Sequence, residues 1–242
     1  MRRLVFLALG QLVGALIPSD HLKEVIMKKW NTLPLLALFF MTLISFAYAA
    51  DMPTKVDRPV IKIGDTWTYT KSIGTNIRTF TSKVVEVQPD GGYQLEVQSS
   101  SSSGTWKEIY DPNGNVVKDF GSIYSPSREI FRFPLEVGKV YSGAKCSRKN
   151  PKDPTVDYSM QAEIKSITPD KVVVKAGTFN TLKIEVEIPY DGRSSKGNSF
   201  SNKVVETYWF APEVGRWVKK NYNDLGNKGL EAWELESFKR GQ

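Results

Sequence analysis

The sequence predicts an all-β fold, a curved antiparallel sheet forming a half-barrel or barrel-like body from two similar halves. Three observations predict it. Beyond residue 50, Pro, Gly, Asn or Asp punctuates the chain about every ten residues. Between those marks apolar and polar residues alternate, the period of a strand with one buried face. No window carries a 3.6-residue apolar period long enough for a major helix.

Strands are expected over Thr66 to Lys71, Arg78 to Gln88, Tyr93 to Ser99, Met160 to Ile167, Lys171 to Lys175 and Leu230 to Phe238. The clearest is "LKIEVEI", where Leu182, Ile184, Val186 and Ile188 point one way and Lys183, Glu185 and Glu187 the other. "QPDGGY" at 88–93, "TPDK" at 168–171 and "DPNGN" at 111–115 read as turns, because Pro presets φ and Asp bonds its own backbone. Ser99 to Gly104, Ser147 to Thr155 and Arg193 to Lys203 lack an apolar period and read as exposed loops.

Residues 1–49 read as an export leader. Met27-Lys28-Lys29 is a short basic segment, "LPLLALFFMTLISF" an apolar core, and Ala47-Tyr48-Ala49 a cleavage signal, so the translation start is expected at Met27 and cleavage after Ala49. No Cys follows the cleavage site, so the product is expected to be soluble, either periplasmic or secreted, as a single all-β domain over 50–242. Of 33 basic and 26 acidic residues, the leader takes five and two, leaving 28 against 24. That mild, scattered excess does not suit nucleic acid, which needs a clustered basic face.

Two counts remove chemistry. The only histidine, His21, lies in the leader, which excludes His-based triads, His general bases and imidazole-dependent zinc motifs from the exported part. The only cysteine, Cys146, has no disulfide partner in the chain and no His to activate it, so it reads as a small buried residue. "DPNGN" begins like a calcium loop, but Ser122 stands where a bidentate Glu is required. Neither a metal site nor a cofactor site is expected, and no catalytic residue is assigned.

The halves are similar over about 60–130 and 134–238. "IKIGDTWTY" matches "LEVGKVYSG", "VVEVQPDGGYQLEV" matches "EIKSITPDKVVVK", and "YDPNGNVVK" matches "FAPEVGRWVK", in the same order. The last pair contains "ETYWFAPEVGRWVKK", the best candidate for a site. With Ala211 to Gly215 as a loop and Gly215 at positive φ, Phe210 faces Arg216, Trp209 faces Trp217, Tyr208 faces Val218 and Glu206 faces Lys220. The cluster reads first as core and register. If it faces a ligand, the contacts are Trp209, Phe210, Arg216 and Trp217, with Tyr208 and Glu206 beside them.

"GDTWTY", "FPLEVGKVY", "VVVKAGTFNTLKIEVE" and "ETYWFAPEVGRWVK" together resemble the TapB-like group of exported bacterial β-proteins, over about residues 60–238. The resemblance implies an envelope location and a curved sheet or half-barrel, and it implies no catalytic residue. The expected function is a non-catalytic envelope protein whose concave sheet face binds a lipid, a glycan or a partner protein. A carboxylate-based enzyme on envelope polysaccharide and a purely structural domain are the alternatives. Membrane insertion after leader cleavage is not expected, because the wet strand faces carry charges that lipid would reject.

Overall fold

The computed structural model describes residues 52–150, 153–226 and 229–242; residues 1–49, read from the sequence as an export leader, lie outside them. Sixteen strands and no helix occur among the described residues. In chain order they are β1 (Lys55–Val56), β2 (Thr66–Ile73), β3 (Asn76–Val87), β4 (Tyr93–Ser99), β5 (Thr105–Tyr110), β6 (Val116–Asp119), β7 (Ser122–Arg128) and β8 (Leu135–Glu136). Then follow β9 (Tyr141–Ser142), β10 (Cys146–Asn150), β11 (Asp153–Met160), β12 (Glu163–Val174), β13 (Gly177–Ser194), β14 (Ser199–Ala211), β15 (Arg216–Asp224) and β16 (Gly229–Lys239).

Every pairing is antiparallel, and the sheet closes on itself. Going round, the order is β2, β3, β4, β5, β6, β7, β10, β11, β13, β14, β15 and β16, which returns to β2, a closed barrel of twelve strands. Closure abolishes the two sheet edges that an open half-barrel would leave unpaired. Strand β13 makes the closure. Its first part pairs with β12 and its last part, Tyr190–Ser194, pairs with β11. Strands β12 and β9 therefore branch off the ring, as an overhang beyond the barrel.

The alternation read in "LKIEVEI" is present: Leu182, Ile184, Val186 and Ile188 are buried, and Lys183, Glu185 and Glu187 face out. Two readings need correction. Pro169 and Asp170 do not turn the chain; β12 runs straight through them, paired to Leu182 and Thr181. Thr181 Oγ1 donates to the Asp170 carbonyl and Trp209 Nε1 to its carboxylate, so the Asp side chain is engaged across strands rather than in a local turn. The polar stretches at 147–155 and 193–203 also carry strands, β10, β11 and the ends of β13 and β14, which include the seam that closes the barrel.

Of the paired motifs, "YDPNGNVVK" and "FAPEVGRWVK" are both hairpins. "VVEVQPDGGYQLEV" is the β3–β4 hairpin, whereas "EIKSITPDKVVVK" is the single strand β12. Cys146 is buried, and burial pushes its thiol up.

Candidate functional site

Two antiparallel registers set which side chains line the barrel. Along β14, Val204, Glu206, Tyr208 and Phe210 face inward, and they pair with Ile188, Val186, Ile184 and Leu182 of β13 on one side. On the other side they pair with Asp224, Tyr222, Lys220 and Trp217 of β15. The hairpin register differs from the one expected. Ala211 pairs with Arg216 around a four-residue turn, Pro212 to Gly215, and a bulge follows between Trp209 and Phe210. Phe210 therefore faces Trp217, Trp209 faces Lys219, Tyr208 faces Lys220 and Glu206 faces Tyr222. Gly215 does take positive φ, +71°, and bonds back to the Ala211 carbonyl at 3.0 Å. One extra residue on β15 moves every pair beyond it, which pattern matching on side chains cannot count.

The six candidate residues consequently separate. Trp209 lies outside the lumen: its indole donates to Asp170 at 2.8 Å, and Lys219 sits 5.7 Å above the ring. Phe210 is buried against Phe131 and Phe133, with ring centroids 5.7 and 5.5 Å apart, where the chain between β7 and β9 covers one end of the barrel. Glu206, Tyr208, Trp217 and Arg216 do form a chain of contacts: Tyr208 bonds Glu206 and lies edge-on to Trp217, over which Arg216 sits, so the chain links two buried charged groups.

The first is Arg216. Its guanidinium lies 5.1 to 5.8 Å from the ring centroids of Trp67, Tyr69, Tyr110 and Trp217, an aromatic box round a cation. Nη2 donates to Tyr110 Oη at 3.1 Å, and Tyr110 donates to Glu108 at 2.8 Å, while Trp106 Nε1 donates to the other Glu108 oxygen at 3.0 Å. Burial holds the Glu108 carboxyl above its usual range in spite of these donors.

The second is Glu206, whose side chain is wholly buried. Arg128 Nη1 approaches Oε1 at 3.3 Å and Lys220 Nζ at 3.0 Å, and Tyr208 donates to Oε2 at 2.7 Å. The expected pairing of Glu206 with Lys220 thus forms as an ion pair along a diagonal of the ladder rather than between directly opposed residues. Burial opposes the charge, but the two cations and the phenol outweigh it and lower the Glu206 pKa to about 2. Asp119, facing the same cations, goes the other way, raised by burial.

Above Glu206 the barrel is hollow. A cavity of about 550 Å³ extends from Glu206, Arg128 and Lys220 to the hairpin tips, and a smaller one of about 110 Å³ continues below, toward Arg216 and Glu108. Aromatic rings and charges alternate on the wall. Tyr158, Tyr190 and Phe200 cluster with ring centroids 6.0 to 6.4 Å apart, and Arg148 lies 5.1 Å over Tyr158. Across from them, Lys71 sits 4.9 Å over Trp233 and pairs with Glu231 at 2.8 Å. Among the described residues no group of three or more His, Cys, Asp or Glu side chains is placed to hold a metal ion.

Sequence reasoning missed the wall residues Arg128, Arg148, Tyr158 and Tyr190, although a usable signal existed. Glu206 shares its strand phase with Val204, Tyr208 and Phe210, Glu108 with Trp106 and Tyr110, and Lys71 with Trp67 and Tyr69. A charge in phase with buried residues marks a polar interior.

No protein-family model matches the sequence, and no curated protein matches it. Solved structures of similar fold include the following three. One is a candidate lipoprotein of Parabacteroides distasonis, with a TM-score of 0.49 and 17% identity over 76% of this chain and 99% of that one. A candidate exported protein of Bacteroides fragilis with a YmcC-like fold gives 0.47 and 12%, over 76% of this chain and 100% of that one. The hypothetical lipoprotein YmcC of Escherichia coli gives 0.45 and 8%, over 74% and 85%.

Proposed function

We propose that this chain is a non-catalytic, exported envelope protein of the TapB-like kind, and that its barrel lumen binds a glycan-like ligand. The observation that carries the reading is the cavity of about 550 Å³ walled by alternating rings and charges. Its size lies within the usual range for small-ligand sites, about 300–1,000 Å³. An acyl chain suits it poorly: seating methylenes against Arg148, Lys220 and Glu231 would strip water from those groups and return no hydrogen bonds. A sugar offers both apolar C–H faces, for Tyr190, Tyr222 and Trp233, and hydroxyls for the charged groups between them.

The carboxylate-enzyme reading is weaker on one ground. Glu206 already accepts from Arg128, Lys220 and Tyr208, and a carboxylate so engaged is a poor nucleophile or base. The outer face of β13 to β16 carries the ion pairs Lys203–Glu187 and Lys219–Glu234, which hydrocarbon would not accept, so the barrel is read as standing outside the bilayer.

Native mass spectrometry of the protein purified from its own envelope tests the proposal. A bound mass that yields saccharide on hydrolysis, and that disappears in Tyr190→Ala, is expected. Recovery of a fatty acyl ligand would overturn the glycan assignment, and ligand-free protein that binds no envelope oligosaccharide in solution would overturn the binding role.

A further inference from the structure

We infer that the open end of the barrel docks on an anionic lipid surface. The hairpin tips β2–β3, β4–β5, β6–β7, β13–β14 and β15–β16 all lie at that end, around the entrance of the lumen. Four of them, all but the serine-rich β4–β5 turn, expose large apolar side chains where hairpins in water normally place small polar ones: Ile73, Ile77, Phe120, Phe200, Leu225 and Leu230, of which Ile77 is 70% and Leu230 65% exposed. Cations stand among them. Arg78, Lys107, Lys149, Arg193 and Lys196 are exposed on or beside these tips. The exposed acids there, among the described residues, are Glu96, directly opposite Lys107 on the β4–β5 hairpin, Asp157, 3.9 Å from Lys149, and Asp191, which accepts the Ser201 hydroxyl.

Apolar points set in a basic field are what an interfacial surface needs, because the side chains enter the headgroup boundary while the cations meet anionic lipid. The other end also exposes apolar side chains, Val60 and Ile63 among them, but there the exposed acids Asp57, Asp90 and Glu213 are interspersed with the cations Lys55, Arg58 and Lys62. A second copy of the chain is a worse occupant of the rim, since a two-fold contact would bring the same cations face to face. Docked in this way, the lumen would open onto the headgroup layer, whatever it holds.

The test is co-sedimentation of the leaderless protein with vesicles of phosphatidylcholine, alone or with an equal part of phosphatidylglycerol. The protein should pellet with the anionic vesicles only and be released by salt. Ile77→Asp and Leu230→Asp should each weaken binding roughly tenfold. Arg193→Glu and Lys196→Glu should cost about fivefold each or more. Val173→Asp, at an exposed position on β12 away from the rim, should bind like the parent, and the assay contains no saccharide, which separates this inference from the ligand reading. All the rim positions are exposed, so unchanged melting curves will show intact folds. A parent protein that stays in the supernatant, or rim variants that bind normally, would overturn the inference. So would a concentration-dependent dimer that Ile77→Asp abolishes, since the rim would then be a self-association surface.

Discussion

At the scale of single residues the interior is organised by Glu206. A glutamate titrates near 4.3 when unfolded and here near 2, so its folded pKa is the lower one. The stabilisation is therefore complete above the unfolded value and drains away as pH falls from about 4 to about 2, an effect of about 3 kcal/mol. Glu108 and Asp119 have the opposite sign. Burial raises their folded pKa values, so their contribution is present at low pH and is lost as pH rises through the raised values. Replacing Glu206 by Gln leaves Arg128 and Lys220 facing each other without a counter-charge, which should cost roughly 3–5 kcal/mol at neutral pH. Urea unfolding at a series of pH values should show that loss. It should also show a flatter acid limb than the parent between pH 4 and about 2. A parallel downward shift with the acid slope unchanged would mean that Glu206 is not the group that titrates.

At the scale of elements, the end of β13 depends on a missing side chain. Gly192 pairs with Phe200, whose ring lies directly over it and closes the cluster with Tyr158 and Tyr190. A Cβ at position 192 would collide with that ring, so Gly192→Ala should destabilise by about 1–3 kcal/mol. Phe200 is partly exposed and can give way. The double variant with Phe200→Ala should therefore lose less than the sum of the two single variants, and thermal melts of all four proteins measure that coupling. Additive losses would show that the ring does not rest on the glycine. The same element marks where sequence pattern stops being informative. Strand β4 and the middle of β13 alternate because one face meets a core, and that alternation is legible. Strands β10 and β11 rise beyond the packed core at the rim of the lumen, where both faces tolerate polar residues. Their pairing rests on backbone hydrogen bonds, which leave no mark in the side-chain pattern. The Pro169–Asp170 pair misleads for a related reason. A local turn preference of a few tenths to one kcal/mol is overridden when the strand pairs at every position from Ser166 to Val174.

At the scale of the whole molecule, two long-range seams complete the ring, β11 against β13 and β16 against β2, and losing either one would leave an open sheet. The second joins the two ends of the described chain. No sequence motif announces closure, because it depends on tilt and register summed over all the strands. The ends are held by one buried carboxylate. Asp65 accepts the Lys62 amide at 2.9 Å and the Gly241 amide at 2.7 Å, and Arg240 Nε lies 3.3 Å away. Arg240 also donates to the Val214 carbonyl at 2.9 Å, so the latch reaches the turn of the β14–β15 hairpin. Removing the carboxylate leaves two amide donors and part of a guanidinium without their acceptor, so Asp65→Ala should cost about 3 kcal/mol. The loss should be local before it is global: amides of β2 and β16 should exchange faster by opening of their seam, while β13 and β14, paired from Leu182 to Arg193, keep their protection. Hydrogen exchange resolved by peptide distinguishes the cases. Equal acceleration in all four strands would mean that the barrel opens only as one cooperative unit, and that Asp65 stabilises the whole rather than its seam.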